Sequence, residues 1–319
     1  MLGTVQEQDD GVRVLRRVVD GTWTSPLLLV GPEGVGRRYS ISATAREAFA
    51  GGDPTNIHHV QLDRGAHPDF IVLRSNDKNI GIDQIRDVID QASFIPMMAP
   101  RRYVVVDGVD TMTPAAANAF LKTLEEPHGS TQFFLLAESL PDVLPTIRSR
   151  CGVVRFRPLS EGLIVRHLME HTDDGTKALV YARLSEGSIG RAVQFLAAGK
   201  IALRDSMVGL LQKATTRDLA SLFAGVNALS GAGTKMVSSL PLGLRFLDHL
   251  LHDLVMIMHD PARLTNLDIA EDLLRLRGQI GERALGNLVA GLKVLRCRQD
   301  SPINLGFHVK TYFATSFSE

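Results

Sequence analysis

Residues 114–151 read PAAANAFLKTLEEPHGSTQFFLLAESLPDVLPTIRSRC, and the succession of signals along them decides the fold. Thr113 offers a side-chain oxygen as N-cap, and Pro114 suits the first helical position. The alanines, leucines and lysine that follow carry a helix to Glu126. Pro127 disfavours helical geometry at Glu126, and Gly129 with Ser130 supplies a turn. The apolar run Phe133 to Ala137 then predicts a strand covered on both faces, the mark of a parallel sheet. Pro141 is expected to open a second helix, which Ile147-Arg148-Ser149-Arg150-Cys151 closes.

Upstream, Val12, Val14, Leu15, Val18 and Val19 recur between Arg13, Arg16 and Arg17, predicting an amphipathic helix over 12–23. Pro26 to Val30 is a short apolar strand. It runs directly into Gly31-Pro32-Glu33-Gly34-Val35-Gly36-Arg37-Arg38 and a helical stretch to about Ala50. Strand, glycine loop and helix in that order suit a phosphate, because successive backbone N–H groups and the helix N-terminus point at one anion. The spacing fits G-x-x-x-x-G. Arg37, however, stands where a lysine would bridge terminal phosphates, and Arg38 where a hydroxyl would bind magnesium. Arginine is bulkier and forked, and the second change removes a metal ligand. Weakened rather than abolished phosphate binding is therefore expected at Gly31, Gly34, Gly36 and Arg37. Arg102 to Asp107, RYVVVD, is a further buried strand, and the acid that ends it is followed by Gly108.

A length of 319 residues allows two or three domains, and 45% hydrophobic content supports packed cores. With 35 Lys+Arg against 35 Asp+Glu the formal net charge is zero, which excludes a whole-surface coat for nucleic acid. Cys151 and Cys297 are too few for a disulfide framework or a four-thiolate zinc site. His58, His59 and His67 lack a carboxylate or thiolate at ligand spacing and are read as solvent or turn residues, so no metal is expected. The acidic start, with Glu7, Asp9 and Asp10, has no basic region before an apolar core, and no run approaches ~18 apolar residues. A cytosolic protein without membrane contact is expected. Beyond Phe156-Arg157-Pro158-Leu159 the strand pattern stops. Ser160 to about Gly199 reads as a small helical unit, and Ile201 to the end as four to six helices on repeats such as Leu244, Leu247, Leu250, Leu251 and Leu254. The run Leu250 to Met258 is apolar enough for a core or a subunit interface.

The linked motifs Asn118-Ala119-Phe120-Leu121-Lys122-Thr123-Leu124-Glu125-Glu126-Pro127 and Thr146-Ile147-Arg148-Ser149-Arg150-Cys151 resemble the clamp-loader branch of the AAA+ proteins. The resemblance implies an α/β P-loop domain over 1–157, a parallel five-stranded sheet with helices on both faces. A helical lid over 158–202 and an all-α collar over 203–319 would follow. His67 to Leu73 resembles that family's second strand, Ile80 to Arg86 the segment after it, and Gly187 to Ala192 its glycine-serine signature, with Arg191 as a phosphate-sensing candidate. Gly51 to Gly65 has no cysteine where bacterial relatives carry a zinc module. In ATPases of this class an Asp-Glu pair supports magnesium and polarises water, and a threonine or asparagine ends the strand that here ends at Glu138.

Lysine, hydroxyl, base and polar sensor have all changed, so the whole resembles the delta prime subunits of bacterial DNA polymerase III clamp loaders, in a form lacking the zinc module. That implies a replisome subunit in the cytoplasm that hydrolyses no ATP and has no cofactor of its own, at most weak ATP or ADP. Arg150, in the interface motif Ser149-Arg150-Cys151, would act as an arginine finger in trans on ATP-magnesium held by a neighbour. Motor subunits of the tau/gamma type, a delta subunit, the sliding clamp and primer-template DNA would be the partners. The alternatives are an active AAA+ motor subunit, or an accessory AAA+ scaffold without a loader role.

Overall fold

A computed structural model of the chain describes residues 2–74, 79–127, 129–197, 201–230, 239–297 and 305–317. Two compact units emerge, Met1–Ser160 with Gly187–Arg191, and Glu161–Glu186 with Ala192–Glu319. The first runs α1 (Asp9–Val19), β1 (Leu27–Val30), α2 (Arg37–Ala50), α3 (Ile57–Asp63), β2 (Phe70–Arg74), α4 (Ile82–Ser93), β3 (Arg102–Asp107), α5 (Pro114–Glu125), β4 (Thr131–Ala137), α6 (Pro145–Arg148) and β5 (Gly152–Arg155).

The five strands are parallel, in the spatial order β2-β3-β4-β1-β5. Register sets Leu29 of β1 beside Leu136 of β4 and Val154 of β5, and Val105 of β3 beside Phe134 of β4. Successive strand residues point to opposite faces, so the apolar runs feed two cores at once. Leu28, Val104, Val106, Phe133 and Leu135 pack with Val88 of α4, Phe120 of α5 and Ile147 of α6. Leu27, Leu29, Tyr103, Phe134 and Leu136 pack with Leu15 of α1 and Ile41 of α2.

Thr113 caps α5 by accepting from Ala116 N at 3.2 Å, and ahead of Pro127 the backbone of Glu126 has left the helix at φ −126°, ψ 75°. The helix expected to open at Pro141 does not form. α6 holds only Pro145–Arg148, because Pro145 has no N–H to donate to the carbonyl of residue 141, and Leu144 ahead of it is extended at ψ 134°. The first helix spans 9–19 rather than 12–23. Gly21, at φ 70°, turns the chain, and the N–H groups of Thr22 and Trp23 fold back on Arg17 O. β5 has no apolar run of its own; it is an edge strand whose Val154 alone is buried.

One buried ion pair shapes this unit. Asp69, 0% exposed, accepts from Met97 N (2.8 Å), Met98 N (2.7 Å), Ala99 N (2.9 Å) and Arg102 Nη2 (3.1 Å). Arg102 also donates to Phe94 O at 3.0 Å and Ile95 O at 3.2 Å. Burial alone would raise the Asp69 carboxyl's pKa. The three backbone donors and Arg102 outweigh it and hold the pKa below the ordinary value. The loop between α4 and β3 is thereby fixed, although Phe94, Ile95 and Met97 are exposed.

The second unit is helical: α7 (Glu161–Leu168), α8 (Gly175–Leu184), α9 (Ile189–Ala197, its first turn within the other unit), α10 (Ile201–Thr215), α11 (Leu219–Ser230), α12 (Leu240–Met256), α13 (Ala270–Gln279), α14 (Glu282–Cys297) and α15 (Leu305–Ser316). Leu244, Leu247, Leu250, Leu251 and Leu254 of α12 are buried, as are Leu285, Leu288, Leu292 and Leu295 of α14. Within the run 250–258, Val255 and Met258 are exposed, while Asp253 is fully buried and accepts from Thr265 N and Asn266 N at 2.8 Å each. The expected end of the helical lid near Gly199 lies outside the described residues.

Candidate functional site

The glycine loop sits where β1 ends. Gly31 N donates to Ala137 O of β4 at 3.1 Å, tying the loop to the sheet. Gly34 adopts φ 78° and Gly36 φ 101°, conformations open to glycine. At Gly34 a side chain is also excluded by space, since a Cβ would lie 2.1 Å from Ser188 Oγ, and Gly190 N donates to Gly34 O at 3.2 Å. Residues 187–191 therefore lie directly on the loop.

Arg37 opens α2 with its side chain buried, and its Nη1 donates to Ala137 O. Burial lowers its pKa, and Asp107, Glu138, Asp110 and Glu33, in that order, work against this. Arg38 Nε lies 3.4 Å from Asp107 Oδ2. The carboxylate that would support magnesium in an ATPase of this fold thus faces a guanidinium of its own chain. Arg38 brings no hydroxyl, and the cation partner of Asp107 is already present. The donor set does not fit a nucleotide with its magnesium ion. Gly108 is at φ 97°, a conformation in which a glutamate would be strained, so an acid there would need a different backbone. Asp110 accepts from Glu138 N at 2.8 Å and so fastens the end of β4.

Ser149, Arg150 and Cys151 lie at the opposite end of the strands. They lead into β5, whose Gly152 pairs with Leu27 at the start of β1, whereas Arg37 touches Ala137 at the end of β4. By register Leu27 stands beside Phe134, which is three residues and about 10 Å along β4 from Ala137. Arg150 Nε donates to Glu125 Oε1 at 2.7 Å, and Nη2 donates to the same oxygen. Its Nη1 donates to Thr146 O at 2.9 Å and to Ser149 Oγ at 3.3 Å. The Arg150 side chain is 29% exposed and that of Glu125 49%. Ser149 is exposed and donates to Thr146 O at 3.2 Å. Cys151 packs against the sheet's core, and burial pushes its thiol pKa up to about 12, so it has no nucleophilic character near neutral pH. Arg148 is exposed, and Arg191 N donates to Ser188 Oγ at 3.2 Å in the first turn of α9.

His67 is a core residue and not the solvent or turn residue expected. It is 4% exposed, its Nδ1 accepts from Asp69 N at 3.1 Å, and its Nε2 lies 2.9 Å from His58 Nδ1. Phe49 packs on its ring at 5.1 Å, which the histidine spacing could not reveal. Burial and then His58 lower its pKa. Among the described residues no three metal-ligating side chains gather.

Two partners escaped sequence reasoning, Asp107 for Arg38 and Glu125 for Arg150. The second left a trace, because Glu125 is the last residue of α5, where a carboxylate opposes the helix dipole and needs a cation.

A family model described as "DNA polymerase III, delta subunit" matches residues 8–160. The chain is 31% identical over 212 residues to the DNA polymerase III subunit delta' of Escherichia coli (strain K12), covering 65% of this chain and 61% of that protein. It is 36% identical over 140 residues to the same subunit of Haemophilus influenzae, covering 42% and 43% respectively. The chain thus spans less than two thirds of the length of either of these relatives. A DNA polymerase III gamma subunit-related protein of Thermotoga maritima shares the fold at a TM-score of 0.53 and 19% identity, with 96% of this chain and 98% of that one covered. Over residues 8–160 the chain is thus similar to the clamp-loader family of bacterial DNA polymerase III delta prime subunits.

Proposed function

We propose that this chain is a non-hydrolysing subunit of a DNA polymerase III clamp loader, and that it supplies Arg150 in trans to ATP held by a neighbouring motor subunit. The observation that carries the reading is the separation of two guanidinium sites on one sheet. Arg37 and Arg38 fill the chain's own phosphate loop among acids. Arg150, at the other end of the strands, is tied to Glu125 and partly exposed. An arginine delivered by a neighbour stabilises the charge that develops on the transferred phosphoryl group, an effect worth about a thousandfold or more. In this role the chain would work with motor and delta subunits to place a sliding clamp on primed DNA.

Arg150→Ala is expected to leave the chain folded and the assembly intact, while lowering clamp- and DNA-stimulated ATP turnover about a thousandfold at the site it serves. Unchanged turnover in the reconstituted loader would reject the role. Calorimetry of the isolated chain with magnesium and ATP is expected to give weak binding or none. Tight binding with turnover would move the chain to the motor class, and failure to copurify with loader subunits would favour a scaffold without a loader role.

A further inference from the structure

We propose that Glu125 is a latch on Arg150, holding the guanidinium in a resting pose that an incoming phosphate must displace. This rests on reading Arg150 as the group delivered in trans. A guanidinium has five N–H donors, and Arg150 already commits four contacts: Nε and Nη2 to Glu125 Oε1, and Nη1 to Thr146 O and Ser149 Oγ. One N–H on Nη2 remains. Bidentate contact with a phosphate therefore requires the release of at least one present partner, and Glu125 holds the side of the fork that binds oxyanions in pairs.

Charge points the same way. Beside Glu125 the net charge of the pair is zero, so the guanidinium offers less attraction to a phosphate, and the carboxylate itself repels that phosphate. The acid stands at the C-terminal end of α5, an unfavourable place for a negative charge, so its local environment gives it every reason to keep a cation. Both side chains are partly exposed, which limits the latch to the reach of a surface ion pair. It is weak enough to open when a more highly charged group arrives. Glu125 is thus a positioning residue that acts through Arg150.

The test uses the reconstituted loader without DNA or clamp. Glu125→Gln keeps an oxygen acceptor in the same place but removes the charge, and should raise basal ATP turnover about twofold to fivefold, the range of an exposed ion pair. The gain should shrink as salt is added, because the pair it relieves is screened. In an Arg150→Ala background the same change should do nothing. Unchanged or reduced turnover with Glu125→Gln, or an equal rise without Arg150, would overturn the latch. If Arg150→Ala alone had no effect, the trans reading itself would fail, and the two failures are separable.

Discussion

At the end of β1 the guanidinium of Arg37 is buried among Asp107, Glu138, Asp110 and Glu33, whereas beyond the end of α6 that of Arg150 is partly exposed and meets one carboxylate. The residue type is the same and the local sequence equally basic, with Arg38 after the one and Arg148 before the other. The difference is the cost of disturbance. A buried cation whose neighbours are arranged around it cannot be removed without stranding charge, while an exposed one exchanges partners cheaply. Arg37 is thus held in place by its surroundings, whereas under the proposed role Arg150 would exchange its carboxylate for a group on another molecule.

Stability measurements can break this contrast. The largest effect is expected for Asp69→Ala, which leaves Arg102 and three backbone N–H groups without their acceptor. A loss of about 3–5 kcal/mol should appear in chemical denaturation, and the 97–99 amides should lose hydrogen-exchange protection. Arg37→Ala removes the donor to Ala137 O and the cation facing four acids, with an expected cost of about 2–3 kcal/mol. Arg150→Ala should change stability by no more than about 0.5 kcal/mol, since it cuts a partly exposed pair and two hydrogen bonds to neighbours on the surface. An inward-sized loss there would erase the distinction.

A smaller effect sharpens the comparison by pH. The folded chain lowers the pKa of His67, so the unfolded chain binds more protons as pH falls. The contribution is complete above the unfolded value of about 6.5 and is lost as pH drops through the lower folded value. Urea midpoints should therefore fall between pH 7.5 and pH 5.5, and His67→Gln should flatten that slope.

Much of the sheet is legible locally. The runs at 26–30, 102–107 and 133–137 fall on strands because a strand covered on both faces has no polar alternation, and the glycines at 34 and 36 turn where their φ values require it. β5 is hidden because a four-residue edge strand with one buried side chain carries no such run. The helix signalled by Pro141 fails because Pro145, four positions later, has no N–H for the helical bond. His67 is misread because burial depends on Phe49 and His58, which reach it from other elements.

By itself the sequence determined the parallel sheet, the glycine loop with its altered end, and the motif that carries Arg150, since each is written in contiguous residues whose propensity and hydrophobic pattern act over a turn or a strand. Tertiary structure alone decided that Arg38 meets Asp107, that Asp69 fastens the 97–99 loop, and that Glu125 holds Arg150. These pairings join residues far apart along the chain. Packing of helices on the sheet brings them within hydrogen-bond range, and no local pattern records it.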